Sequence, residues 1–227
     1  MLSARARVMF IGHYGASFAA KRVEPSIPLW VLFLAVQFLD VLWAPFILLG
    51  IEKVRIAPHF TGSNALDLYY MPYTHSLVGA LFWSCAGGII YQFVARPSSR
   101  QASVVVASAV FSHWVLDLIV HVPDLPLYDN SAKVGLGLWN APLLSFGLEA
   151  ALLIGGIWLC LRARLVRRGT LLFGVLMLAI QVYNTFLGPP PKSDRAFAVT
   201  ALIAYAVFAI VIWLLEDRRA IARAASL

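Results

Sequence analysis

The sequence predicts an all-α integral membrane protein, a single membrane-embedded domain over residues 1–227. About six transmembrane helices follow a short N-terminal amphipathic or re-entrant helix. Three observations predict this fold. Of the 227 residues, 61% are hydrophobic and only 13% charged, against about 25% charged in soluble domains. The mean hydropathy is +0.80. Apolar stretches recur at a length suited to a hydrocarbon core of about 30 Å, and only a helix satisfies its own backbone polar groups there.

The first apolar segment, 8–20, is too short to span and is flanked by Arg5, Arg7, Lys21 and Arg22. Its charge and length resemble a signal peptide. Lys21-Arg22 stands where a small-residue cleavage site belongs, so the segment is expected to be retained. The first span runs over 28–50 and contains Asp40. A polar connection, 51–72, leads to a second span, 73–95, which opens with Pro72-Tyr73-Thr74-His75-Ser76 nearby. The tight loop 96–100 precedes a third span, 102–121. A second polar loop, 122–137, carries Pro123, Asp124, Pro126 and Asp129. The fourth span, 139–161, contains Glu149. The fifth, 170–187, ends at Gly188 and the prolines after it, which lack an amide donor and bias their predecessors away from helix. The sixth is 196–215. Cys85 and Cys160 lie in apolar runs and read as small packing side chains.

The net charge of +7 sits in short loops and at the C-terminus, without the basic groove and interleaved aromatics of a nucleic-acid binder. Loops 96–100 and 162–168 and the C-terminal tail hold nine Lys and Arg, against five in 51–72, 122–137 and 188–195. This bias predicts the first set, and both termini, on the cytoplasmic side.

Ionisable groups inside the spans carry the functional information. His113, Asp117 and His121 stand four residues apart and form one stripe on a helix. Such groups are expensive in a membrane and must be paired. Antiparallel neighbouring helices bring His75, at the start of the second span, to the membrane face where the third span ends. Asp40 lies at a compatible depth. Imidazoles with carboxylates suit Zn, Mn or Fe rather than Ca or Mg, and a cation pairs the buried carboxylates. The expected metal ligands are His75, His113 and Asp117, with Asp40 and His13 next. His121 and Asp124 are expected to move a proton or to orient a ligand, and Asp40 to share in catalysis. His121 also fits a solvated helix end. Glu149 is a further acid that could face the same cavity.

Thr74-His75-Ser76-Leu77 and Ser112-His113-x-x-x-Asp117 resemble motifs of the bacterial membrane-bound metal-dependent hydrolases of the YdjM/YbcI type. His13 in Gly12-His13 and the Asp40 element complete the order of motifs, over roughly residues 9–125. The resemblance implies a metal-dependent hydrolase of the bacterial inner membrane. Residues 1–137 would hold the metal site and 138–227 would add membrane helices. Two departures accompany it. Gln37-Phe38-Leu39-Asp40-Val41-Leu42-Trp43 stands where the family has P-D-x-D-H. Tyr70-Met71-Pro72-Tyr73 stands where it has H-R-G before T-H-S. The departures favour a single metal, or a degenerate site, over two metals.

The leading expectation is hydrolysis of a lipid-like or phosphoester substrate by metal-activated water, most readily with Zn. A non-catalytic accessory subunit of a larger membrane assembly or oligomer is the principal alternative. A proton-coupled transporter is the third, disfavoured because neither an inverted repeat nor paired broken helices are visible. With His13 near an N-terminus inside, a site in the outer half requires residues 8–20 to re-enter the membrane.

Overall fold

A computed structural model describes residues 11–95, 99–189 and 191–216. Arg5, Arg7, Arg96 and the C-terminal Arg218, Arg219 and Arg223, all part of the charge-based expectations, lie outside the described residues. The described residues are mostly helical, apart from one small hairpin and the connecting segments, of which 121–137 is the longest beyond the hairpin region.

Five helices are long and apolar enough to cross a membrane: α4 (Leu77–Val94), α5 (Arg100–Val120), α6 (Pro142–Arg162), α7 (Arg168–Val182, extended by a π-helical turn to Leu187) and α8 (Asp194–Leu215). The expected first span is a bent pair instead. Helices α2 (Leu29–Val36) and α3 (Phe38–Leu48) meet at Gln37 with a 52° bend. Counting that pair as one broken span gives the expected six.

Local chemistry sets the helix starts. Ser76, Ser99 and Ser193 accept hydrogen bonds from the amides of Gly79, Ala102 and Ala196, satisfying donors that a first helical turn leaves open. Pro142 occupies the first turn of α6, where its missing amide costs nothing. Phe82, Phe93, Leu143, Leu172 and Ile203 are exposed on the outer faces of these helices, as lipid-facing residues must be.

The short N-terminal helix, α1 (His13–Val23), is buried inside the bundle. Its eleven residues extend about 16 Å, too little to cross, so it enters the protein rather than spanning it. It packs chiefly on α6, and also on α2 and α5. The α1–α6 crossing depends on glycine. A Cβ at Gly156 would meet the Gly15 carbonyl oxygen at 2.5 Å, and one at Gly15 would strike the Leu152–Leu153 backbone. Small residues at such crossings let two backbones approach closely.

The C-terminal end of α1 is fixed by charge. Lys21 is buried and donates to the carbonyls of Pro25 (2.9 Å) and Ile27 (2.7 Å) and to Glu216 (3.1 Å). Glu216 also accepts from the Leu29 amide at 2.6 Å. One ion pair thus ties the end of α1, the start of α2 and the end of α8.

The polar connection 51–72 contains an unanticipated antiparallel hairpin of β1 (Lys53–Ile56) and β2 (Leu66–Tyr70). Val54, Leu66 and Leu68 are its buried apolar residues. Its strands are only four and five residues long, so they leave little periodic pattern in the sequence. With the 3₁₀ turn Leu138–Asn140, this hairpin supplies residues over the end of the bundle where α4 begins and α5 ends.

Candidate metal centre

Five of the eight residues singled out by sequence converge on one buried pocket. His13 comes from α1, Asp40 from α3, His75 from the turn before α4, and Asp117 and His121 from α5 and its end. His113, from α5, completes the cluster. The pocket encloses about 500 Å³ of empty space, including the part open to solvent, and Leu66, Met71, Trp139, Phe197 and Tyr205 also line it.

Four side chains form its centre. His75 Nε2 lies 3.3 Å from Asp40 Oδ1 and 3.6 Å from Asp117 Oδ2. His113 Nε2 lies 3.6 Å from Asp40 Oδ1 and 3.2 Å from Asp117 Oδ2. Four ligands around a first-row divalent ion at about 2.0–2.1 Å stand about 3.3–3.4 Å apart at the corners of a tetrahedron. These four contacts are near that spacing, and Asp40, His75 and His113 form a trio whose ligand atoms lie within 4.8 Å of one another.

The hydrogen bonds around the cluster fix which ring nitrogens face it. His113 Nδ1 lies 2.8 Å from the Val36 carbonyl. A carbonyl only accepts, so Nδ1 carries the proton. Val36 ends α2, where carbonyls lack an intrahelical partner; the bend at Gln37 thus provides the acceptor. His75 Nδ1 lies 2.7 Å from Thr74 Oγ1, which lies 2.6 Å from Glu52 Oε2. The hydroxyl donates to the carboxylate and accepts from the imidazole. His121 Nδ1 lies 2.8 Å from Asp124 Oδ1. In neutral rings, all three Nδ1–H groups point outward and all three Nε2 lone pairs face the carboxylates.

That arrangement could hold a metal ion. Lone pairs and carboxylate oxygens are both acceptors, and Asp117 Oδ2 is buried without a hydrogen bond although two imidazole nitrogens stand within 3.6 Å. A metal ion satisfies all of them, and outward Nδ1–H anchors are the usual support of metal-bound histidine. The donor set fits a divalent transition metal.

His13 and His121 flank the other oxygen of Asp117. His13 Nε2 lies 3.2 Å and His121 Nε2 3.6 Å from Oδ1. His13, His113 and Asp117 form a second ligand-capable trio, with ligand atoms within 4.8 Å of one another. His13 reaches this position because α1 enters the bundle, as the sequence required. His121 is buried, not solvated at a helix end. Asp124 is buried beside it.

Glu149 is not among the residues lining the pocket. It sits behind His13, accepting from the Gly12 amide at 3.4 Å and from Gln181 at 3.1 Å. Its carboxylate holds the first turn of α1 rather than the cavity.

Sequence reasoning missed two contributors. Tyr205, from α8, donates to Asp40 Oδ2 at 2.6 Å, so the 138–227 half also shapes the site. Its signal is weak: it shares the buried face of α8 with Ala198, Ala201, Phe208 and Ile212. Glu52 is buried and also accepts from the amides of Tyr73 (2.8 Å) and Thr74 (2.9 Å). In sequence it reads as a solvated acid beside Lys53. No known family profile, curated protein or solved structure matches the chain.

Proposed function

We propose that this protein is a membrane-embedded metal-dependent hydrolase that acts on a lipid-like or phosphoester substrate. The observation that carries the reading is the pair of ligand-capable trios, Asp40–His75–His113 and His13–His113–Asp117, with His75 and His113 anchored through Nδ1. The motif resemblance to the YdjM/YbcI-type hydrolases supports the same chemistry. It also supports placement in a bacterial inner membrane, and the Lys and Arg bias between alternate loops supports cytoplasmic termini.

A bound Zn, Mn or Fe ion supplies Lewis acidity and an acidified water at neutral pH. Asp40, His75 and His113 would hold it, with Asp117 beside them. The Asp40 side chain is 20% exposed, against 2% for His113, so the open side of the set is at Asp40. A water entering there has Asp40 as its nearest carboxylate. His121, between Asp117 and Asp124, offers a polar route by which the proton released from the water would pass toward the 122–137 loop. Hydrolysis adds the water oxygen to the phosphorus or acyl carbon, and the departing oxygen takes up a proton.

A second reading has a specific observation in its favour. Asp117 Oδ2 lies within 3.6 Å of both His75 and His113 Nε2; as a fourth ligand it would close the site as in structural zinc centres, whereas catalytic zinc commonly keeps three protein ligands plus an open position. A metal-stabilised accessory subunit follows if no fifth position is used. Metal analysis of purified wild type and His113→Ala separates the readings, together with release of phosphate or headgroup from lipid vesicles. The hydrolase reading expects about one equivalent of transition metal and turnover in wild type, with both lost in the variant. Metal without turnover on any lipid class supports the accessory subunit. Wild type without stoichiometric metal overturns both metal readings.

A further inference from the structure

A second, larger groove adjoins the metal pocket. It lies between α7 and α8 and has about 1350 Å³ of empty volume, including space open to its surroundings. Its surface is mainly apolar, and Tyr183, Asn184, Lys192, Phe197, Thr200 and Ala204 are among its lining residues. Both helices are long and apolar enough to span a membrane, so bilayer lipid is the medium outside the groove.

Three further features distinguish it from a chance gap between helices. First, α7 ends in a π-helical turn, Tyr183–Leu187. Such turns are rare and concentrate at functional sites, and this one contributes Tyr183 and Asn184 to the groove. Second, exposed Lys192 stands at its mouth, just before α8. Arg195 is also exposed nearby, while the Asp194 carboxylate is engaged by the Arg195 amide at 2.8 Å. The mouth therefore carries a net positive charge at the start of a helix, where the backbone dipole also favours anions. Third, Phe197 lines both the groove and the metal pocket. Its ring packs against Trp43 at 5.9 Å, and Trp43 meets His75 at 6.3 Å.

The geometry points to this groove as the seat of one acyl chain of an anionic membrane lipid, with the headgroup at Lys192 and Phe197 dividing the chain from the metal pocket. That the lipid is also the substrate rests on the hydrolase reading; its occupancy of the groove does not. Lys192 and the α8 start recognise the anionic headgroup, and the apolar walls take the chain. Phe197 then sets how far a headgroup bond advances toward Asp40 and His75.

Native mass spectrometry of the full-length protein in detergent tests this. The probes are phosphatidylglycerol, neutral phosphatidylcholine and inorganic phosphate. Ala204→Trp and Thr200→Trp fill the groove, Lys192→Glu reverses the charge at its mouth, and His113→Ala disables the metal set. Wild type is expected to retain one phosphatidylglycerol. Retention should fall at least tenfold in both Trp variants at wild-type metal content. It should fall at least threefold in Lys192→Glu, with little change for phosphatidylcholine. His113→Ala should lose metal and keep lipid. Wild-type retention in Lys192→Glu and the Trp variants overturns the groove, as does displacement of the lipid by inorganic phosphate alone. Lipid loss in the Trp variants of a protein that holds no metal leaves the groove standing and removes the hydrolase.

Discussion

Replacing Glu52 by Gln tests whether the outer hydrogen bonds control the metal set. Glu52 touches no ligand atom. Its Oε1 accepts two backbone amides, and its Oε2 accepts the Thr74 hydroxyl at 2.6 Å. A glutamine keeps its carbonyl oxygen on the two amides, which turns its NH₂ toward Thr74 Oγ1. The hydroxyl then accepts from that NH₂ and donates to His75 Nδ1, reversing the 2.7 Å bond. The His75 proton moves to Nε2, the atom that faces Asp40 and Asp117. A protonated Nε2 cannot ligate. Loss of such an outer partner lowers metal affinity about 10–100-fold, or about 1.4–2.8 kcal/mol. Competition with a chromophoric chelator on the purified protein measures the loss. Thr74→Val removes the relay altogether, so the double variant should bind metal about as well as Thr74→Val alone. This non-additivity separates proton placement from the support Glu52 gives the 73–74 backbone. Wild-type affinity in Glu52→Gln, within twofold, refutes the reasoning, and so do fully additive losses in the double variant.

Other perturbations test the neighbouring parts of the site. Asp117→Asn removes a charge faced by four imidazoles and should abolish stoichiometric metal in elemental analysis, while Asp124→Asn should retain it. Tyr205→Phe deletes the 2.6 Å bond to Asp40; since bonds to charged groups contribute about 1.5–3 kcal/mol and Asp40 is partly exposed, an affinity loss of about tenfold is expected by the same chelator competition. Gly156→Ala forces a methyl group onto the Gly15 carbonyl. Overpacking of about 1–3 kcal/mol should lower the thermal unfolding midpoint in detergent, and displacement of α1 should lower metal content with it.

The sequence makes the helical spans legible because their rule is local: enough apolar residues to cross, closed by Ser or Pro signals. It also makes His113 and Asp117 legible, since one helix presents both at i and i+4. The hairpin, Glu52 and Tyr205 were not legible. Glu52 meets Thr74 across 22 residues and Tyr205 meets Asp40 across 165, and neither pairing leaves a periodic trace. The bend at Gln37 was hidden for another reason. An apolar run on both sides of a glutamine reads as one continuous span, while the Val36 carbonyl freed there is a backbone group that side-chain patterns do not encode.

These long-range contacts change the weight of the motif departures. The sequence lacks the second acid and the histidine of P-D-x-D-H, and Met71 falls within the stretch where H-R-G was expected. By motif alone, the site loses ligands. In three dimensions Met71 lines the pocket as an apolar wall, and Asp40 is steadied by Tyr205 from the far half of the chain. Asp40, His75 and His113 still form a ligand-capable trio without the missing groups. The residues at the departures, Asp40 apart, are not members of that trio. What remains beside that set is His13 and His121 on the outer oxygen of Asp117, two imidazoles that bear on the charge and orientation of one ligand. One metal ion held among these side chains is the reading we propose for the buried ionisable cluster that opens onto the pocket.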